Sequence, residues 1–124
     1  MKSLRILMAL VLGFSTVLVA HAHRFAPSLL QVDEVAPQQY NMVWKTPAQG
    51  VSAVPLRPQW PQSCEVRSAS EPQLEGTGVV TNWQLQCAGL GDDGLVGQTL
   101  GVSGLGANQA SVMVMVNLLD GRRY

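Results

Sequence analysis

Tyr40-Asn41-Met42-Val43-Trp44-Lys45-Thr46-Pro47 decides how this chain folds. Successive side chains of an extended strand point to opposite faces. Tyr40, Met42 and Trp44 therefore share one face, and Asn41, Val43 and Lys45 the other. That is the period-2 pattern of a strand with one face in a core. Pro47 closes it, because proline has no N–H to give to a ladder. Gly78 to Cys87 repeats the pattern, with Val79, Thr81, Trp83, Leu85 and Cys87 opposed to Val80, Asn82, Gln84 and Gln86. A small core built around Trp44 and Trp83 follows from the two stretches together.

Outward from these two strands, the chain reads as short strands between turns. Ser28 to Val35 alternates Leu30 and Val32 with Gln31 and Asp33, and Ala36-Pro37-Gln38 breaks it. Val51 to Arg57 is expected as an edge strand, since it contains Pro55. Pro58-Gln59-Trp60-Pro61 is expected as a stiff corner with Trp60 flat over it. Cys64 to Arg67 is a short strand, and Ser68 to Gly76 is polar and reads as a loop. Gly89 to Gly94 and Gly104 to Asn108 are turns, with a short strand from Thr99 to Ser103 between them. Ala110 to Leu119 is the last strand. About seven strands in about 100 residues predict an immunoglobulin-like antiparallel β-sandwich.

Met1 to Ala22 reads as a signal peptide. Lys2 and Arg5 form a basic start, Ile6 to Ala20 is apolar, and Ala20-His21-Ala22 fits a small-x-small cleavage site. The competing reading is an uncleaved anchor, but the apolar run falls short of the ~20 residues that span a bilayer. Both readings place residues 23–124 as one domain in the periplasm or another extracytoplasmic space, with membrane association in the second case. That domain carries six Lys and Arg against eight Asp and Glu, a formal charge of −2. Its only basic cluster is Arg122-Arg123, so a nucleic-acid partner is not expected.

Cys64 and Cys87 both belong to the exported part, where thiols oxidise. A bridge between them would close a loop of about 24 residues. The alternative is two free thiols in metal or redox work, for which the spacing is unlike C-x-x-C.

Several segments together carry a family resemblance. They are His23 with Arg24-Phe25-Ala26-Pro27-Ser28-Leu29-Leu30, the Tyr40 to Pro47 stretch, Leu56-Arg57-Pro58, Cys64, Cys87-Ala88-Gly89-Leu90, Val102-Ser103-Gly104-Leu105 and Asp120-Gly121. In this order they resemble the extracytoplasmic N-terminal region of bacterial HupE/UreJ-type membrane proteins. The Trp-Lys-Thr-Pro and Leu-Arg-Pro runs and the two-cysteine frame are its most specific parts. The resemblance implies a soluble region that precedes a bundle of membrane helices, in a family some of whose members are associated with nickel supply to hydrogenase or urease. It covers the soluble region only, and the transport role would reside in the membrane part.

Catalysis has little to stand on. Residues 23–124 hold one histidine, His23, so a Ser or Cys nucleophile has no imidazole base within the strands. Gly101-Val102-Ser103-Gly104-Leu105 misses the G-x-S-x-G elbow. Asp92-Asp93 sits in a glycine turn and reads as solvated. The glycines from Gly89 to Gly106 fit neither phosphate-binding pattern and serve turns. No small-molecule substrate is indicated, and no enzyme activity is expected.

Two binding readings remain. Cleavage after Ala22 would leave His23 with a free α-amino group beside its imidazole, a pair that chelates copper or nickel. A second imidazole would complete such a site, and the exported part has none. Met113 and Met115 offer thioethers to Cu(I), but they alternate with Val112, Val114 and Val116, so the plainer reading is a strand apolar on both faces. A sandwich strand usually keeps one polar face. Met113, Met115 and Leu119 therefore mark either a central strand under a long loop or a docking surface for a protein or membrane-domain partner, a role to which methionine is suited. The segment after Leu119 reads as an Asp-Gly turn and the start of a return strand whose remainder is missing. The expectation is a non-catalytic interaction module of a larger membrane assembly.

Overall fold

A computed structural model describes residues 27–124. The expected signal peptide, its cleavage site and His23 lie outside the described residues. Among the described residues, eight strands and one short helix run in the order β1 (Ser28–Ala36), β2 (Gln39–Pro47), β3 (Arg57–Gln59), β4 (Cys64–Ala69), β5 (Gln73–Glu75), β6 (Gly78–Cys87), β7 (Gly101–Ser103), α1 (Leu105–Asn108) and β8 (Val112–Asn117). Six strands make one sheet, ordered β4-β6-β2-β1-β8, with β5 also paired to β6. β3 and β7 form a second, two-stranded sheet. The all-β, sandwich-like expectation holds, with one addition: β1 and β8 pair in parallel, whereas the other pairings are antiparallel.

The core lies where the period-2 pattern puts it. Tyr40 and Met42 are each 1% exposed and Trp44 5%. Across the ladders, Trp44 stands opposite Leu30 and Thr81, and Met42 opposite Val32 and Trp83. Leu30, Val32, Leu85, Cys64, Cys87 and Leu95 complete the buried cluster. Leu56, Trp60 and Val102 close over it from the side of the small sheet. Trp60 meets Trp83 edge-on, with ring centroids 5.7 Å apart, the arrangement that aromatic quadrupoles favour.

Three local expectations are corrected. Val51 to Leu56 forms no strand; pairing begins at Arg57, and Pro58 stands opposite Val102 in the two-stranded sheet. Ser68 to Gly76 is not a free loop, because Ser68 and Ala69 extend β4 and Gln73–Glu75 pairs with Val80 to Gly78. β6, ten residues long, acts as a template here, and pairing overrides the weak strand propensity of polar residues. Gly104 to Asn108 is a turn of helix. The Asn108 amide group donates to the carbonyls of Gly104 (2.9 Å) and Val54 (2.8 Å), fixing α1 and tying the 51–56 segment to it. A Cβ on Gly104 would stand 2.6 Å from the Pro55 carbonyl oxygen at φ +86°, so only glycine fits.

The β1–β2 hairpin turns on Pro37 and Gln38, with Gln38 at φ +61°. Its carbonyl accepts the Cys87 amide at 2.8 Å, which locks the hairpin to the end of β6. Cys64 and Cys87 face each other across β4 and β6 and are joined by a disulfide.

Candidate interaction surface

β8 lies at the edge of the large sheet; among the described strands its one neighbour is β1, and the Arg122–Tyr124 return bridges to its far end. This settles its double-faced apolar pattern: it is not a central strand under a loop. Val112, Val114 and Val116 pack toward the core. Met113 and Met115 face outward and are 55% and 40% exposed. Parallel pairing sets Leu29 beside Met113 and Gln31 beside Met115, and the next strand adds Val43 beside Gln31. Leu29, Val43, Met113 and Met115 thus share one end of the outer face.

The other end of that face is polar. Asp33 accepts hydrogen bonds from Gln31 Nε2 (2.7 Å) and Asn117 Nδ2 (2.5 Å). Lys45 lies beside Leu29 and pairs with Glu75 at 3.6 Å, both partly exposed, so this contact contributes little to stability. Leu119, expected on the same face as the methionines, lies past the strand in the turn, and its amide donates to Glu34 Oε2 at 3.1 Å.

The expected Asp-Gly turn is present, with Gly121 at φ +88°. The chain then folds back on β8: Leu118 N–H donates to the Arg122 carbonyl (2.9 Å), and Val116 exchanges both backbone bonds with Tyr124 (2.8 and 2.9 Å). Arg122 secures the turn by donating from its backbone amide and its Nε to the Asp120 carboxylate, at 2.9 and 2.6 Å. The backbone bond first, and the guanidinium with it, hold the Asp120 carboxyl below its usual range.

Beside this return lies a half-open apolar pocket of about 250 Å³, lined by Leu95, Gly97, Leu100, Val116, Leu118 and Tyr124 among others. Its far wall is the 91–98 loop. Tyr40 abuts that loop from the core: its hydroxyl donates to Glu34 Oε1 at 3.5 Å, and a Cβ on Gly94 would stand 2.5 Å from the hydroxyl oxygen. Burial above all, and the nearby Glu34 charge, push the Tyr40 hydroxyl above its ordinary value of 10.0. It stays protonated and holds its contacts through neutral pH.

The pocket was not anticipated from the sequence. Its only advance signal is Leu95, just past the glycine turn that ends at Gly94, and Leu100 in the short strand expected from Thr99 to Ser103. Its lining carries no carboxylate, imidazole or thiol. Both cysteines are joined to each other, and among the described residues no three His, Cys, Asp or Glu are grouped to hold a metal. What the arrangement offers chemically is apolar contact, with Gln98 and Tyr124 as the polar side chains of the lining, and backbone hydrogen bonding. The chain matches no family model, no curated protein and no solved structure.

Proposed function

We propose that this chain is a non-catalytic, extracytoplasmic interaction module that docks through the β8 end of its large sheet, in the manner of a soluble region such as that of the HupE/UreJ-type membrane proteins it resembles. The observation that carries the reading is the contrast between the two sheet edges. β4 carries Glu65 and Arg67 and an irregularity in its pairing with β6 between Val66 and Ser68. Charge and broken register are how proteins keep an edge from pairing with strangers. β8 is Val-Met-Val-Met-Val-Asn, without a charge, and its outer methionines are open to solvent. A surface kept apolar and adaptable where the opposite edge is guarded supports contact with a partner.

The test is fractionation of cells that express the full chain. Met113→Lys together with Met115→Lys should move the protein from the envelope-bound to the free fraction by about tenfold, a loss of about 1.4 kcal/mol in binding. The fold should be unaffected, since exposed substitutions cost within about 0.5 kcal/mol. Equal distribution of the wild-type and doubly substituted chains would count against the reading.

A further inference from the structure

Oxidation chemistry converges on the outer face of the large sheet. The chain has two cysteines, both buried and joined to each other. No thiolate competes for an oxidant, so the thioethers are the reactive sulfur. Three methionines lie among the described residues. Met42 is sealed in the core, opposite Val32 on one side and Trp83 on the other. Met113 and Met115 occupy successive outward positions of β8 and are open to solvent. Leucine or isoleucine at both positions would serve a permanently apolar face as well. Methionine differs in that its polarity can be changed after synthesis and changed back.

We propose that Met113 and Met115 are a paired modification site, and that their oxidation to sulfoxides by a peroxide switches the docking surface off. The inference rests on the reading of this face as a docking surface. In the reaction a sulfur lone pair attacks one oxygen of hydrogen peroxide. The S–O bond forms as the O–O bond breaks. The proton of the transferred oxygen passes to the departing hydroxide, which leaves as water. Sulfur loses two electrons and the peroxide gains them. A methionine sulfoxide reductase reverses the step: the sulfoxide oxygen leaves as water while two thiols become a disulfide.

The surroundings set the effect. Each sulfoxide adds a strong acceptor to a patch that otherwise offers thioethers, Leu29 and Val43. An apolar partner that covers the patch must then bury an unmet oxygen. The fold loses nothing, because the core side of β8 is Val112, Val114 and Val116 and its ladder to β1 runs through the backbone. The two positions differ in their neighbours. Gln31, beside Met115, has two amide hydrogens and donates one to Asp33, so the other suits a sulfoxide oxygen. Leu29, beside Met113, offers no side-chain donor.

The test uses the chain isolated from cells that express it, treated with hydrogen peroxide and mapped by peptide mass. Met113 and Met115 should each gain one oxygen at least about tenfold faster than Met42, with the unfolding midpoint unchanged. Added to untreated envelope, the oxidised chain should bind about tenfold more weakly than the unoxidised one. Methionine sulfoxide reductase should restore binding. Met113→Leu together with Met115→Leu keeps size and apolarity; this variant should bind like the wild type and be indifferent to peroxide. Oxidation of Met42 as fast as the other two would overturn the inference, as would an equal loss of binding by the peroxide-treated leucine variant. The lysine substitutions separate the two levels. Full binding by the doubly oxidised chain, with release by Met113→Lys and Met115→Lys, overturns the switch and leaves the docking reading standing. Binding that survives both oxidation and lysine overturns both.

Discussion

Trp44→Ala should destabilise the domain by about 3–5 kcal/mol, the range for emptying a large aromatic site in a core. Trp44 is 5% exposed in β2, which pairs on both sides, with β1 and β6. Its neighbours across the ladder, Leu30 and Thr81, are held by two different strands. The vacated space cannot be filled by the movement of one element alone. Domains of this size are stable by about 5–15 kcal/mol, so the variant should stand at the margin of folding. Urea titration should show a lower midpoint at unchanged slope. Val43→Ala, one residue away on the outer face, is the internal control and should cost less than about 1.5 kcal/mol, because a half-exposed side chain removes little area from water. Equal losses at the two positions would mean that the register of β2 is wrong.

Replacing Cys64 and Cys87 together by alanine should cost about 3 kcal/mol. The bridge spans a sequence separation of 23 and joins residues already opposite each other in the β4–β6 ladder. The folded state needs little rearrangement without it. The loss arises chiefly in the unfolded chain, which gains the freedom of an open loop. Guanidinium unfolding should therefore show a lower midpoint together with a steeper slope, since the unbridged unfolded chain exposes more surface. Reductant should bring the wild type to the variant's curve and leave the variant unmoved. Identical curves with and without reductant would show that the bridge contributes nothing.

These two sites were the most legible parts of the sequence, for a physical reason. Tyr40, Met42 and Trp44 repeat at the strand period on one face, and burial of that face leaves a pattern that needs no knowledge of partners. The same holds for Leu30 and Val32, and for Trp83 and Leu85. Gln73–Glu75 left no such trace, because it is a strand only by virtue of its place against β6, with all three residues exposed. Val51 to Leu56 misled in the opposite sense: Leu56 packs against the core, Val51 and Val54 stay exposed, none joins a ladder, and the Val54 carbonyl is met by the Asn108 side chain instead of a strand. The parallel pairing of β1 with β8 is a contact between the two ends of the described chain, and no local pattern encodes which strands become neighbours.

The interaction surface was half legible. Met113 and Met115 stood out because a sandwich strand usually keeps one polar face. The position of β8 at the edge, which decides between a covered strand and an open one, required the sheet order. The pocket required the 91–98 loop to fold back over Val116 and Leu118, and glycine turns announce a bend without saying where it leads.

Amide hydrogen exchange along β8 in the lone, monomeric chain tests the central claim most directly. A strand paired on one side only should alternate. Met113 and Met115, bonded to β1, should exchange at least about 100-fold more slowly than Val112 and Val114, whose N–H groups face solvent. Uniformly slow exchange from Val112 to Val116 would show that the edge is already covered, and uniformly fast exchange would show that β8 does not belong to the sheet.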